Sequence, residues 1–70
     1  MDKGLIKKLI SEDIGKGKDK GTIKFEGYEI VYSVRALDIT GKVKLGNEVR
    51  EIEWCLYSNR IKLRDLQPAH

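Results

Sequence analysis

The sequence predicts an α+β fold: a short N-terminal helix followed by a five-stranded antiparallel meander, closed as a small SH3-like or Sm-like barrel or left as a strongly curled sheet. Three observations carry that expectation. Leu5, Ile6, Leu9 and Ile10 recur at helical spacing near the start. From Gly21 onward apolar and polar residues alternate in runs of strand length. Tight-turn signals such as Glu26-Gly27 and Gly46-Asn47 separate those runs, and sequential hairpins imply an antiparallel meander.

The helix is expected over about residues 3–13. Asp2 is its N-cap, and Gly15 fits the left-handed position just past its end. So short a helix must dock on something apolar. Residues 15–21, GKGKDKG, read as a flexible, solvated linker.

Strands are expected between 21 and 66. Around Glu26-Gly27, Phe25 faces Tyr28, Ile23 faces Ile30 and Lys24 faces Glu29, which sorts apolar from charged partners. Tyr28–Leu37 is the longest strand, with Tyr28, Ile30, Tyr32, Val34 and Ala36 on one side. Val31 and Leu37 make its other side partly apolar, so the helix or a partner chain is expected to cover it. A loop at Asp38–Gly41 would pair Ala36 with Val43 and Val34 with Leu45. After Gly46-Asn47, Leu45 faces Val49, and a bulge near Arg50-Glu51 is needed to bring Ile52 to the same face. In Val49–Leu66, a two-residue turn at Ser58-Asn59 sets Leu56 against Ile61, Trp54 against Leu63 and Glu53 against Arg64. A helix from Asn47 competes there, but the alternation Ile52, Trp54, Leu56 favours a strand. Residues 67–70 read as a frayed tail.

Length and composition narrow the functional classes. Seventy residues make a single small domain, 1–70. A chain of that size buries only about 60% of its unfolded surface, so its core is marginal. No apolar run approaches the ~18 residues of a membrane span, and the start lacks the pattern of a signal peptide. The expectation is a cytoplasmic protein with no membrane partner. Cys55 is the one cysteine, so it has no partner for an internal disulfide and reads as a reduced thiol. The net charge of +3 is modest, and its excess lies on the N-terminal side.

No motif names a reaction. Ile10–Gly17, ISEDIGKG, resembles the EDIGxGD stretch near the start of nicotinate-nucleotide pyrophosphorylases. Lys18 stands where that pattern has its final Asp, and 70 residues do not accommodate that family's barrel domain. The resemblance carries no expectation of that activity. His70 is the single histidine and sits at the last position, and Cys55 has no histidine partner in sight. Glu48, Glu51 and Glu53 read as a surface charge run. No catalytic residue, metal ligand or cofactor is expected, and the chain reads as a non-enzymatic binding module.

Two kinds of partner fit. Another protein, or a second copy of the chain, would meet Val31, Leu37, Tyr57, Arg60 and Lys62. A nucleic acid would meet phosphate-binding Lys16, Lys18, Lys20 and Arg35, with Tyr57 free to stack on bases. The protein partner ranks first, because pairing Glu53 with Arg64 neutralises part of the basic strand.

Overall fold

The computed structural model describes residues 1–66. The expected frayed tail and His70 lie outside the described residues. Helix α1 (Lys3–Gly15) precedes five strands: β1 (Lys20–Phe25), β2 (Tyr28–Arg35), β3 (Asp38–Leu45), β4 (Glu48–Cys55) and β5 (Ile61–Asp65). They form one antiparallel sheet in the order β1-β2-β3-β4-β5, the expected meander. β1 and β5 are its edges and do not pair, so the sheet is open and the barrel is not closed. The physical reason lies in the core: α1 places Ile6 and Ile10 against the face that a barrel would have turned onto itself.

The ends of α1 follow from local chemistry. Asp2 caps it, its Oδ1 accepting from the Leu5 N–H at 3.1 Å. The helix runs two residues further than expected, to Gly15, and the left-handed position past its end falls to Gly17, not Gly15. Gly17 takes φ 88, its N–H donates to the Ile14 carbonyl, and the Lys18 N–H donates to that of Asp13. These paired bonds satisfy carbonyls that the last turn leaves open. The supposed linker shrinks to residues 16–19, and Asp19 already accepts from the Val34 N–H at 2.6 Å. It is a structured joint rather than a loose hinge.

The first hairpin is paired as expected, with Phe25 opposite Tyr28, Lys24 opposite Glu29 and Ile23 opposite Ile30. The other registers differ. The second turn is Ala36-Leu37, not Asp38–Gly41, so Val34 lies opposite Ile39 and Ile30 opposite Val43. Ala36 accepts φ 56, a conformation costly for a residue with a Cβ, and in return Ile39 is wholly buried. At the third turn Leu45 lies opposite Glu48 and Lys44 opposite Val49. Val49 therefore faces away from Ile52, and the pairing from Glu48 to Cys55 runs without a bulge. In the last hairpin Trp54 lies opposite Ile61, Ile52 opposite Leu63, and Glu51 opposite Arg64. The Ser58-Asn59 turn is replaced by a longer loop, 56–60, which moves each pairing by an even step and leaves the two faces unmixed.

The inner face of the sheet and α1 enclose one core: Ile6, Ile10, Ile30, Tyr32, Ile39, Val43, Ile52, Trp54 and Ile61. Two tyrosines of β2 tie the helix down at both ends. Tyr28 Oη accepts from the Asp2 N–H at 3.1 Å, and Tyr32 Oη donates to Asp13 Oδ2 at 2.9 Å. The helix covers this face and not the side carrying Val31. That other side is the outer, solvent-facing surface, where Val31 is 50% exposed.

Candidate functional site

An antiparallel meander gathers its connections at two ends, and the two ends differ here. One holds only the tight turns Glu26-Gly27 and Gly46-Asn47. The other collects residues 16–19, the Ala36-Leu37 turn and the 56–60 loop. Most of the residues singled out in the sequence converge on this second end.

Trp54 shapes the loop. Its indole N–H donates to the Ser58 carbonyl at 2.8 Å, and Lys7 Nζ stands 5.8 Å from its ring centroid. Lys7 also donates to the Asn59 carbonyl, which links α1 to the loop. The Ser58 N–H donates to the Cys55 carbonyl at 2.8 Å, and Ser58 Oγ accepts from the Arg60 N–H at 3.1 Å. The Leu56 N–H then donates to the Leu37 carbonyl at 2.9 Å. That bond joins two connections distant in sequence and sets Leu37 beside Leu56. Leu37 is 38% exposed, Leu56 37% and Tyr57 85%. Three large apolar side chains thus meet solvent at the end of the sheet that holds the Ala36-Leu37 turn and the 56–60 loop.

Beside the tip a hollow of about 450 Å³ opens on the outer face. Asp38, Thr40, Glu53 and Cys55 line its floor, with Ser58, Arg60 and Lys62 along one side. A neighbouring hollow of about 430 Å³ shares Thr40 and Glu53 and extends to Lys42 and Glu51. Both are open, mixed in charge and without a convergent set of like charges.

Register explains the charge pattern of this face. One row across the strands reads Lys20, Ser33, Thr40, Glu53, Lys62, and the next reads Thr22, Val31, Lys42, Glu51, Arg64. Opposite charges lie on adjacent strands, which favours the pairing of the sheet itself. Arg64 meets Glu53 diagonally at 3.4 Å, and Lys24 meets Glu29 at 3.8 Å. Both pairs are exposed and contribute little. Among the described residues, Arg35, Lys42, Arg60 and Lys62 form no ion pair within 4.0 Å.

The sequence-predicted residues separate into groups. Leu37, Tyr57 and Arg60 lie on the turn and the loop that the Leu56–Leu37 bond joins, and Lys62 follows within β5, opposite Glu53. Val31 does not join them and stands in the middle of the outer face, flanked by Thr22 and Lys42. Lys18 and Lys20 lie at the start of β1, and the Asp19–Val34 bond carries them to the end of β2 where Arg35 stands. Lys16, exposed, caps the helix nearby. Leu56 is the contributor missed in the sequence: its place in the alternation with Ile52 and Trp54 assigns it to the core, and only the length of the loop brings it out.

The buried titratable groups do not add a reactive centre. Tyr32 is pushed up to about 12 by burial, then by its hydrogen bond to Asp13. It is a fastener between helix and sheet. Cys55 is half-buried and free. Among the described residues no cluster of His, Cys, Asp and Glu is arranged to hold a metal ion, and no helix is long and apolar enough to cross a membrane. Against this geometry, comparison with family models, curated proteins and solved structures returns no match to the chain.

Proposed function

We propose that the chain is a small non-enzymatic binding module that acts through protein–protein interaction, with the tip formed by residues 36–37 and 56–60 as its contact surface. The observation that carries this reading is the Leu56–Leu37 backbone bond, which ties together the turn and the loop on which Leu37, Leu56, Tyr57 and Arg60 are exposed. Aromatic and arginine side chains next to each other supply contact area and directional hydrogen bonds, the usual anchors of an interface. A rigid support helps too: the loop is held from beneath by Trp54 and Lys7, so little ordering is needed on binding.

The test places a photo-crosslinking amino acid at Tyr57 and, as control, at exposed Asn47 in the turn at the opposite end of the sheet. Partner adducts, or adducts to a second copy, are expected from position 57 and lost on Arg60→Glu with Lys62→Glu. Equal adducts from both positions, or none from position 57 together with a monomer in sedimentation, would overturn the reading.

A second reading has its own observation. Lys18, Lys20 and Arg35 share the same end of the sheet with Tyr57 and Arg60, which suits a single-stranded nucleic acid tracking across basic residues and stacking on one aromatic ring. Its signature is affinity that falls steeply with salt. Gel retardation of RNA and DNA at low salt separates the two readings.

A further inference from the structure

We propose that the free edge of β1 is a strand-addition site for an extended segment of another protein in which acidic and apolar residues alternate. The surface is distinct from the tip.

In an antiparallel ladder, residues in bonded pairs turn both backbone groups toward the partner strand, and the residues between them turn theirs away. The Asp19 carbonyl accepts from the Val34 N–H, so 19/34 is a bonded pair, and so by alternation are Gly21/Tyr32, Ile23/Ile30 and Phe25/Tyr28. The N–H and C=O groups of Lys20, Thr22 and Lys24 therefore point out of the sheet edge. Such a row is a template for another strand.

Side chains define which strand fits. On the outer face the edge shows Lys20 and Lys24, both exposed. On the inner face it shows half-buried Ile23 and Phe25, which is 40% exposed. A strand added here sets alternate side chains against the lysines and against this apolar ledge, so acidic residues alternating with apolar ones are complementary on both faces. The Lys24–Glu29 pair at 3.8 Å is exposed and yields readily to a new acidic neighbour. A second copy of the chain does not fit. Two β1 edges paired antiparallel about Thr22 set Lys20 against Lys24 twice, and β5 would bring Lys62 and Arg64. The β5 edge is the poorer site: α1 comes closest to that strand, and Asp65 opposes an acidic segment.

The probe is a capped peptide alternating glutamate with valine, seven residues long, titrated into the ¹⁵N-labelled full chain. The controls are the same composition in two blocks and an alternation of lysine with valine. The expected result is chemical-shift change and slowed exchange at the amides of Lys20, Thr22 and Lys24, with the alternating acidic peptide alone. Thr22→Pro removes an outward N–H that the sheet does not use, and it should weaken binding at least about tenfold while Trp54 fluorescence reports a folded domain. Lys20→Glu with Lys24→Glu should weaken it to a similar degree, and this pair decides the matter if the proline variant does not fold. Equal binding by the lysine peptide, shifts centred on β5 or on Tyr57, unchanged affinity in the folded variants, or no shift at millimolar peptide would overturn the proposal.

Discussion

Trp54 and Tyr57 lie three positions apart and have opposite fates. Trp54 is buried opposite Ile39 and Ile61, while Tyr57 is 85% exposed. Trp54→Ala should cost about 3–5 kcal/mol, enough to unfold a marginal domain of this size. Tyr57→Ala should change stability by less than about 0.5 kcal/mol. Thermal melts followed by circular dichroism distinguish the two. Tyr32 gives a pH signature. Its hydroxyl titrates near 10.0 in ordinary surroundings and at about 12 here. The folded state holds the proton more tightly, so the stabilisation is intact below pH ~10 and is lost as the pH rises toward the folded value. Tyr32→Phe should be less stable at neutral pH by about 0.5–1.5 kcal/mol. It should also lose less stability than the parent between those two pH values, as denaturant midpoints read by Trp54 fluorescence would show. All three aromatic placements are legible in the sequence, because alternation assigns Trp54 and Tyr32 inward and Tyr57 outward. The Tyr32–Asp13 bond is not, since it joins residues on two elements whose relative position no local pattern encodes.

At the level of elements, the turns decided how much could be read. Glu26-Gly27 carries its own instructions: φ values of 47 and 86 are those of a tight hairpin turn, and Gly27 is suited to one of them. Ala36-Leu37 carries none, because alanine at φ 56 is selected by the pairing on either side. The nearby Gly41 attracts a turn assignment instead. It sits in the middle of β3, opposite Tyr32, where a Cβ would stand 2.0 Å from the Val31 carbonyl oxygen and 2.8 Å from the Tyr32 Cα. Glycine serves close backbone approach there, a use that resembles a turn signal in sequence. Gly41→Ala should therefore destabilise more than its strand propensity implies, by several times the roughly 1 kcal/mol span of that scale, and lower the melting temperature accordingly. The last hairpin shows a gentler error. A shift by an even step keeps every side chain on its face, so the apolar and charged sides were legible even though the partners of Trp54 and Glu53 were not.

For the whole molecule, the helix takes the place of barrel closure. It contributes Ile6 and Ile10, both wholly buried, to a sheet face that also presents Ile30, Ile39, Val43 and Ile52. A chain lacking residues 1–15 should expose that face and fail to fold as a monomer, seen as a shifted Trp54 emission and self-association in sedimentation. The open edges that remain are guarded by Lys20, Lys24, Lys62 and Arg64, charges that oppose pairing between copies. The up-and-down order of the strands brings three connections to one end, and two of them make the tip. Most of the tip residues are legible singly in the sequence, as exposed or basic positions. Their joining was not legible, because it depends on the second turn and the last loop, whose registers were not locally encoded.

Element types, their order, the antiparallel meander and the inward face of most strands are all written in the local residue pattern. Those properties follow from periodicity and capping, and both act within a few residues of chain. Only the tertiary structure decided the registers beyond the first hairpin, the choice of an open sheet over a barrel, the face the helix covers and the meeting of Leu37 with Leu56. Each of these is a competition between alternative packings of the same apolar residues, and burial of Ile39 and Ile52 against the helix selects among them at long range.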